Sequence, residues 1–486
     1  MKIHSVRYNA LFNVIYTLSN IIFPLITFPY VSRILMASGN GKVNFFTSIA
    51  TYGTTIAGLG LSTYGIRAVA KVRDDAKKLS RLTVELLIIN FIGSVIVLLV
   101  LGLSLFFVQQ FQQELALFCI TCITILLSVV GMNWFFSGME QYDYITRRSI
   151  LFKFISLILV FAFVKSRSDY VIYALITMFS TVGAYVFNFI YARHFVSFRV
   201  NIHDLSIIRH LKPTLLLFSS ILAVSVYTNL DTIMLGFFSG NREVGLYTVA
   251  VKVKWLLLMM INALSAVLLP RLSKHIEDNN LHLFNKIVGQ SMQIIMFISI
   301  PLVAFFMVMA KQTILVIGGA DYVSATWCMV FLMPILMISG FSNITGNQIL
   351  IPMGKDKAFL YAVSTGAILN LGLNIVILPK YGANGASIDT LIAEFSQMVI
   401  QSYFCRDIIK KNFKMRGFLD FVSGACVAGG GIFIFNKVID INPFINLIMC
   451  GFIFAIIYLL VLILLKNKFM KMMLYNFVYI LRRKRN

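Results

Sequence analysis

Asp231 and Lys252 are the residues whose type and place first point to chemistry. Lys212 to Arg271 reads as two apolar runs joined by a short polar turn at Ser239-Gly240-Asn241. Roughly 20 apolar residues cross a bilayer, and a charge deep inside one costs at least about 2.5 kcal/mol on insertion scales. Asp231 in the first run and Lys252 and Lys254 in the second therefore predict a bundle interior or a water-filled cavity. At 1.5 Å per residue from the turn, Asp231 and Lys252 both lie roughly 10–13 Å below the outer surface, a shared depth at which they can meet. Lys254 is about 200° around the helix from Lys252 and cannot face the same cavity; depth favours Lys252. The pair reads either as a structural ion pair or as working chemistry. In the second case Lys252 and Arg33 offer positive charge to an anionic substrate, and Asp231 restrains the lysine or takes up a coupling proton or sodium ion.

Arg33 follows Pro24 and Pro29 near the outer end of the first run, where an interfacial anchor that snorkels is the plainer reading. The prolines predict a bend there, static or gating. Asn343 and Asn347, and then Asn370 and Asn374, stand four apart and so share helix faces. Asp389 and Glu394 follow, the latter about half-way across its run. Amides and carboxylates on facing helices can hydrogen-bond sugar hydroxyls, or hold helices together, the commoner use in membranes. Helix adhesion is preferred for the asparagines and function for Glu394. No acid–base or nucleophile constellation and no phosphate-cradling glycine loop stands out, so no catalytic residue is expected. Cys119-x-x-Cys122 lies in an apolar run with no second pair, and all six cysteines are expected to be small buried residues. The six histidines fall in predicted inner-face segments, which argues against a metal site in the membrane.

The elements that position these residues follow from composition. A chain of 486 residues that is 59% hydrophobic and 13% charged, with mean hydropathy +0.86, is a polytopic all-α membrane protein. Fourteen spans are expected, at about 10–35, 43–66, 83–108, 114–137, 149–165, 170–192, 213–238, 244–270, 284–309, 325–351, 358–379, 384–405, 417–436 and 443–465. An even number puts both termini on one side. About 32 of the 42 Lys and Arg fall on that side and about 7 opposite, which by the positive-inside rule makes both termini cytoplasmic in the plasma membrane. The net charge of +23 is thus mainly a topology signal with anionic lipid headgroups as partners, and it needs no nucleic acid. All connections are short, the longest at about 193–212, so function must lie inside the bundle. The opening MKIHSVRYNALF lacks a small-residue cleavage site and leads into the first span. After Lys466, Phe469, Met470, Met473, Leu474, Phe477, Val478 and Leu481 recur at helical spacing among basic residues, an amphipathic helix expected to lie on the inner membrane surface.

Ser38-Gly-Asn-Gly-Lys-Val-Asn-Phe-Phe-Thr and Ser239-Gly-Asn-Arg-Glu-Val-Gly-Leu-Tyr-Thr are alike in register, and each opens a span. Two six-helix lobes, 1–205 and 206–412, related by a pseudo-two-fold axis along the membrane normal are the expected architecture. Secondary transporters built on such repeats bind substrate between lobes. Two extra helices (413–465) and a basic tail (466–486) complete the chain.

YTLSNIIFPLITFPYVSRIL, LSTYGIRAVAK, NWFFSGMEQYDYI, DTIMLGFFSGNREVGLYTVAVKV and LLPRLSK together carry a family resemblance over the first twelve helices. The chain resembles the polysaccharide flippase (Wzx-type oligosaccharide flippase) family. That family sits in the multidrug/oligosaccharidyl-lipid/polysaccharide exporter superfamily, beside lipid II flippases and multidrug/toxin extruders. The resemblance implies movement of undecaprenyl-diphosphate-linked oligosaccharide units from the inner to the outer leaflet for surface polysaccharide synthesis. It places Arg33, Asp231 and Lys252 at the family's charged positions and Arg67 at the inner mouth, and leaves room for a polymerase and chain-length machinery as partners. The physics agrees on one point: a diphosphate needs cationic groups to enter a low-dielectric bundle. A multidrug or cation extruder on the same fold, expected to have a more acidic cavity, ranks second, with a lipid II flippase beside it. A membrane polymerase or acyltransferase ranks last.

Overall fold

At 1.5 Å per residue a helix of 52 residues would be about 78 Å long, more than twice the hydrocarbon core of about 30 Å. Helix α1 has that length, Val6–Ala57, and it is broken at Met36, where φ is 59° and ψ −178°. Side chains other than hydrogen rarely enter that backbone region. Pro24 and Pro29 remain inside the helix, so the backbone break lies beyond the prolines, just ahead of the Ser38–Thr47 motif. A 49-residue helix in the second half is broken in the same manner at Gly382 (φ 52°, ψ −133°). The break separates the expected runs 358–379 and 384–405.

The computed structural model describes residues 6–278, 280–439, 441–473 and 475; no strand occurs among them. Ten of their helices are long and apolar enough to cross a membrane, so the chain is a multi-pass membrane protein. It divides into two compact units, 1–245 and 246–486.

In the first unit α1 is followed by α2 (Leu61–Val72), α3 (Ala76–Ser104), α4 (Gln109–Gln113), α5 (Leu115–Ser128), α6 (Asn133–Gly138), α7 (Tyr142–Phe163), α8 (Tyr170–Met178), α9 (Ala184–Ala192) and α10 (Ile208–Ser239). α11 (Asn241–Glu277) leads out of it. The expected run 43–66 is shorter in fact: α1 stops at Ala57, and Gly60, with φ 81°, turns the chain into α2. α2 is amphipathic, burying Leu61, Gly65 and Val69 while Arg67 stays exposed. Its buried face lies on α6. A Cβ at Gly65 would sit 2.7 Å from Trp134 Cε3, and one at Gly138 would sit 2.7 Å from Val69 Cβ. Arg73 then bonds the Glu140 carboxylate at 2.7 Å. The LSTYGIRAVAK and NWFFSGMEQYDYI segments are therefore two sides of one joint, at the edge of a core that includes Leu82, Leu86 and Phe135.

The second unit contains α12 (Leu281–Val308), α13 (Ala310–Ile317), α14 (Thr326–Leu332), α15 (Ile335–Asn343) running into a π-helical segment (Ile344–Leu350), α16 (Asp356–Phe404), α17 (Arg406–Asn412), α18 (Met415–Val438) and α19 (Pro443–Leu464). Beyond α19 the expected surface helix begins differently. Asn467 bonds Asp420 at 2.7 Å and caps the Phe469 and Met470 amides. Phe469 and Met470 are buried, with the Phe469 ring 5.5 Å from Phe297 and 6.2 Å from Phe421. Its start thus docks on the unit instead of facing lipid. Leu474, Phe477, Val478 and Leu481 lie outside the described residues. Three cysteines are buried, but Cys119 and Cys426 are exposed on their helices, contrary to expectation.

Candidate functional site

Charged and amide side chains buried inside apolar helices are the candidates. Asp231 on α10 is 2% exposed and belongs to the first unit; Lys252 on α11 is partly exposed and belongs to the second. Lys254, which depth reasoning set aside, is the more buried lysine, 8% exposed. Arg33 is exposed on α1 and donates from Nη1 to the Pro29 carbonyl at 3.2 Å. Asn370 and Asn374 are wholly buried, and Asn374 Nδ2 donates to Asn370 Oδ1 at 3.3 Å. Asn343 donates to Asn262 of α11 at 3.1 Å.

Glu394 sits in a polar seam between α15, its π-helical continuation and the second part of α16. Ser339 Oγ donates to Glu394 Oε2 at 2.9 Å; Ser342 and Thr345 hydroxyls both donate to Gln401 Oε1 at 2.8 Å; Gln397 Nε2 donates to Ser342 Oγ at 3.0 Å. Glu394, Gln397 and Gln401 recur at helical spacing on one face of α16. A wider π turn fits there because it re-aims the hydroxyls of α15 toward that face. The seam holds helices together and includes the ionisable Glu394.

In the first unit an acidic hub escaped the sequence reading. Glu85, near the start of α3, is completely buried. Its Oε1 accepts from Arg81 Nε (3.1 Å) and the Ser206 amide (2.6 Å), and its Oε2 from Arg209 Nη2 (2.7 Å) and His210 Nε2 (2.7 Å). Tyr64 of α2 meets His210 Nδ1 at 2.7 Å. One carboxylate thus joins α2, α3 and the loop entering α10. Its only sequence signal was a lone acid amid basic residues.

A second group missed by sequence lies on α7. Lys153 stands within the helix. Its Nζ donates to Ser19 Oγ at 3.0 Å and to Asn20 Oδ1, and lies 5.3 Å from the Tyr16 ring centre. Arg148 donates from Nη2 to Asn133 Oδ1 at 3.2 Å and stacks 5.6 Å from the Tyr144 ring. The signal was the lysine in RRSILFKFISL, an apolar stretch.

α1, α5 and α8 line a cavity of about 260 Å³ edged by threonines and by Tyr185. Thr51, Thr121, Thr124, Thr177 and Thr181 each donate to a carbonyl of their own helix at 2.7–3.0 Å. With their protons so engaged, these five hydroxyls have only lone pairs left to offer the cavity. No group of three or more His, Cys, Asp or Glu suited to a metal occurs among the described residues.

The sequence model of a family described as "Polysaccharide biosynthesis protein" matches residues 6–276. Relatives provisionally named O-antigen transporters occur in Escherichia coli (strain K12), 22% identical over 83% of this chain and 97% of the relative, and in Shigella dysenteriae, 26% identical over 77% and 94%. Among solved structures, the lipid II flippase MurJ in an inward closed conformation superposes with TM-score 0.74 at 14% identity, covering 94% of this chain and 99% of that one. An inward-facing multidrug resistance MATE family transporter of the MOP superfamily gives 0.62 at 17%, covering 81% and 96%. The fold is shared with these, and the relatives and neighbours are named for transport, not for catalysis.

Proposed function

The chain belongs to the polysaccharide biosynthesis protein family, and on that premise we propose that it is a flippase. Its cargo is an undecaprenyl-diphosphate-linked oligosaccharide, moved from the inner to the outer leaflet of the cytoplasmic membrane for surface polysaccharide synthesis. The supporting observation is where the polar chemistry sits: Lys254, Asn370, Asn374 and Glu394 are buried on helices of membrane-crossing composition, and Asp231 is buried in the apolar stretch Leu230–Ser239. Such residues are expensive in lipid and mark a substrate or ion path. The O-antigen transporter names of its relatives agree with this cargo.

In this reading the two broken long helices each cross twice and α7 and α10 cross beside the ten, giving fourteen spans with both termini cytoplasmic. Two six-helix lobes then expose a central polar cavity alternately to either side. Arg33 and Lys252 receive the diphosphate, Arg67 gathers it at the inner mouth, and Asn370 and Asn374 meet sugar hydroxyls. Asp231 and Glu394 form charge pairs or take up a coupling proton or sodium ion. Anionic lipids surround the basic inner face, and a polymerase with its chain-length machinery takes over the product. Deleting the gene tests this: undecaprenyl-linked repeat units should accumulate facing the cytoplasm. Accumulated lipid II would favour a second reading, a peptidoglycan-precursor flippase, for which the MurJ-like fold speaks.

A further inference from the structure

In the second unit, the first half of α12, the α17–α18 connection and the chain just beyond α19 line a cavity of about 660 Å³, a size that small ligands fill. Asn285, Gly289 and Gln293 stand four apart and so share the face of α12 that borders it. Two side-chain bonds pin its walls together. Asn412 Nδ2 donates to Asn285 Oδ1 at 2.9 Å, and Asn467 Nδ2 donates to Asp420 Oδ2 at 2.7 Å. Segments far apart in sequence thus build the cavity by tertiary contact.

Two features of the lining call for an anion. Lys286, Lys411, Lys414, Arg416, Lys466 and Lys468 all border the cavity, and Asp420 is the single carboxylate among its described lining residues. None of the six cations forms an ion pair among the described residues, and no Asp or Glu follows Asp440 in the sequence. Gln293, only 5% exposed, supplies the second feature: its Nε2 is buried with no hydrogen-bond partner among the described residues. The amide stands beside Gly417, where a Cβ would fall 3.1 Å from Nε2, and both residues line the cavity. A buried donor left unmatched is costly. An amide NH2, like ammonium and guanidinium, only donates, so the missing partner is an acceptor, and the surrounding charge asks for a negative one. A phosphoryl group meets both demands.

Position selects its source. α12, α18 and α19 have membrane-crossing composition, and the cavity lies where α18 begins and α19 has just ended, the level at which phospholipid headgroups sit. Met415 and Met472 border it and are exposed, as is Leu419 one turn along α18. They form an apolar ledge for acyl chains beside the cationic mouth. Basic pockets between membrane helices take up anionic headgroups on this principle.

We infer that this cavity is a binding site for the phosphoryl headgroup of an anionic membrane phospholipid. Gln293 donates to a phosphoryl oxygen at its floor, and the lysines and Arg416 supply charge around its mouth. A lipid held there ties the start of the tail to α12 and α18. The site shares no residue with the proposed cargo path and does not depend on the flippase reading.

The test titrates the full chain in detergent with phosphatidylglycerol and counts retained lipid by native mass spectrometry. Phosphatidylcholine is the zwitterionic control, glycerol 1-phosphate is the soluble phosphate, and melting temperature is read alongside. Wild type should retain phosphatidylglycerol in preference to phosphatidylcholine and gain melting temperature from it. The triple variant Lys411→Gln/Lys414→Gln/Arg416→Gln should weaken that binding about tenfold or more. Lys77→Gln/Lys78→Gln/Arg193→Gln removes three exposed cations from the first unit and should leave it within about twofold of wild type. Gln293→Leu should weaken binding about tenfold while the melting temperature without added lipid holds or rises, because an unmatched donor has gone; a purely structural glutamine would lower it. If Gln293→Leu does not fold, the exposed triple variant of the second unit decides alone. Unchanged binding in that triple variant or in a folded Gln293→Leu would overturn the site, as would equal weakening by the two triple variants or phosphatidylcholine retained as well as phosphatidylglycerol. Glycerol 1-phosphate that displaces phosphatidylglycerol at equal concentration would overturn the lipid as source. All of these outcomes leave the flippase reading intact, since gene deletion tests it separately.

Discussion

Replacing Glu85 by glutamine isolates one carboxylate on which four donors converge. Glu85 is wholly buried, whereas Arg81 and Arg209 are 35% and 51% exposed and His210 only 5%. Glutamine keeps one accepting oxygen and replaces the other with an amide NH2, a donor facing donors, so two of the four bonds are lost. Hydrogen bonds to charged groups contribute about 1.5–3 kcal/mol each, giving an upper figure of about 3–6 kcal/mol. Both arginines can return partly to water, which reduces the expected loss to about 2–4 kcal/mol. Arg209→Ala leaves Glu85 with three donors and removes a half-exposed partner, so it should cost no more than about 1 kcal/mol. Denaturant unfolding of the detergent-solubilised protein, followed by tryptophan fluorescence, reads both; Trp134 lies in the same core as Leu82 and Leu86. If Glu85→Gln unfolds within about 0.5 kcal/mol of wild type, or Arg209→Ala proves the more damaging, the hub argument fails.

Other expectations can be checked independently. Arg33→Ala and Lys252→Ala should each reduce surface polysaccharide while leaving membrane-inserted protein at wild-type levels; unchanged polymer in both would remove the proposed diphosphate receptors. Asp231→Asn should alter the dependence of transport in vesicles on a proton or sodium gradient, and an unaltered dependence would make Asp231 structural. Gly65→Val should destabilise by about 1–3 kcal/mol through overpacking against Trp134, whereas Gly102→Val, with nothing within 4 Å of the new Cβ, should be near neutral by thermal melt. Asp75 caps α3 by accepting from the Lys77 and Lys78 amides at 3.1 Å, and the Lys78 backbone bond leads the causes that hold its carboxyl below the usual range. Because the folded value is depressed, this cap is fully present above the unfolded value of about 3.9 and fades as pH falls through the folded value. Hydrogen exchange at those two amides should rise in acid for wild type and show no such step in Asp75→Asn.

Hydropathy made the helical class and the crossing runs legible, because a bilayer demands long apolar helices whatever else a sequence does. It placed the Gly382 break between two expected runs, since Pro379, Lys380 and Tyr381 interrupt the apolar pattern there. It did not place the break at Met36: proline was the visible signal, and the residue that takes the positive φ bears no mark of it. Nor did it end α1 at Ala57, because Ile56 to Leu61 stay apolar through the turn at Gly60. Candidate residues were legible where charge interrupts an apolar run, as at Asp231 and Lys252. Glu85, Arg148 and Lys153 were lost among neighbouring basic residues that serve topology, and only packing separates a buried member from its exposed neighbours. Depth below the turn favours Lys252 over Lys254, and depth along the helix says nothing about how closely each face is covered.

The motifs at Ser38 and Ser239 read as near copies, but their backbones touch through residues that differ. A Cβ on Gly41 would fall 1.7 Å from the Asn241 carbonyl oxygen, and one on Gly245 would fall 2.0 Å from that of Ala37. In register, Gly41 corresponds to Arg242 and Gly245 to Asn44. A gene made by joining two copies of either motif would therefore set a side chain where the present molecule leaves bare main chain. The two motifs are complementary here, like plug and socket, and neither can be swapped for the other.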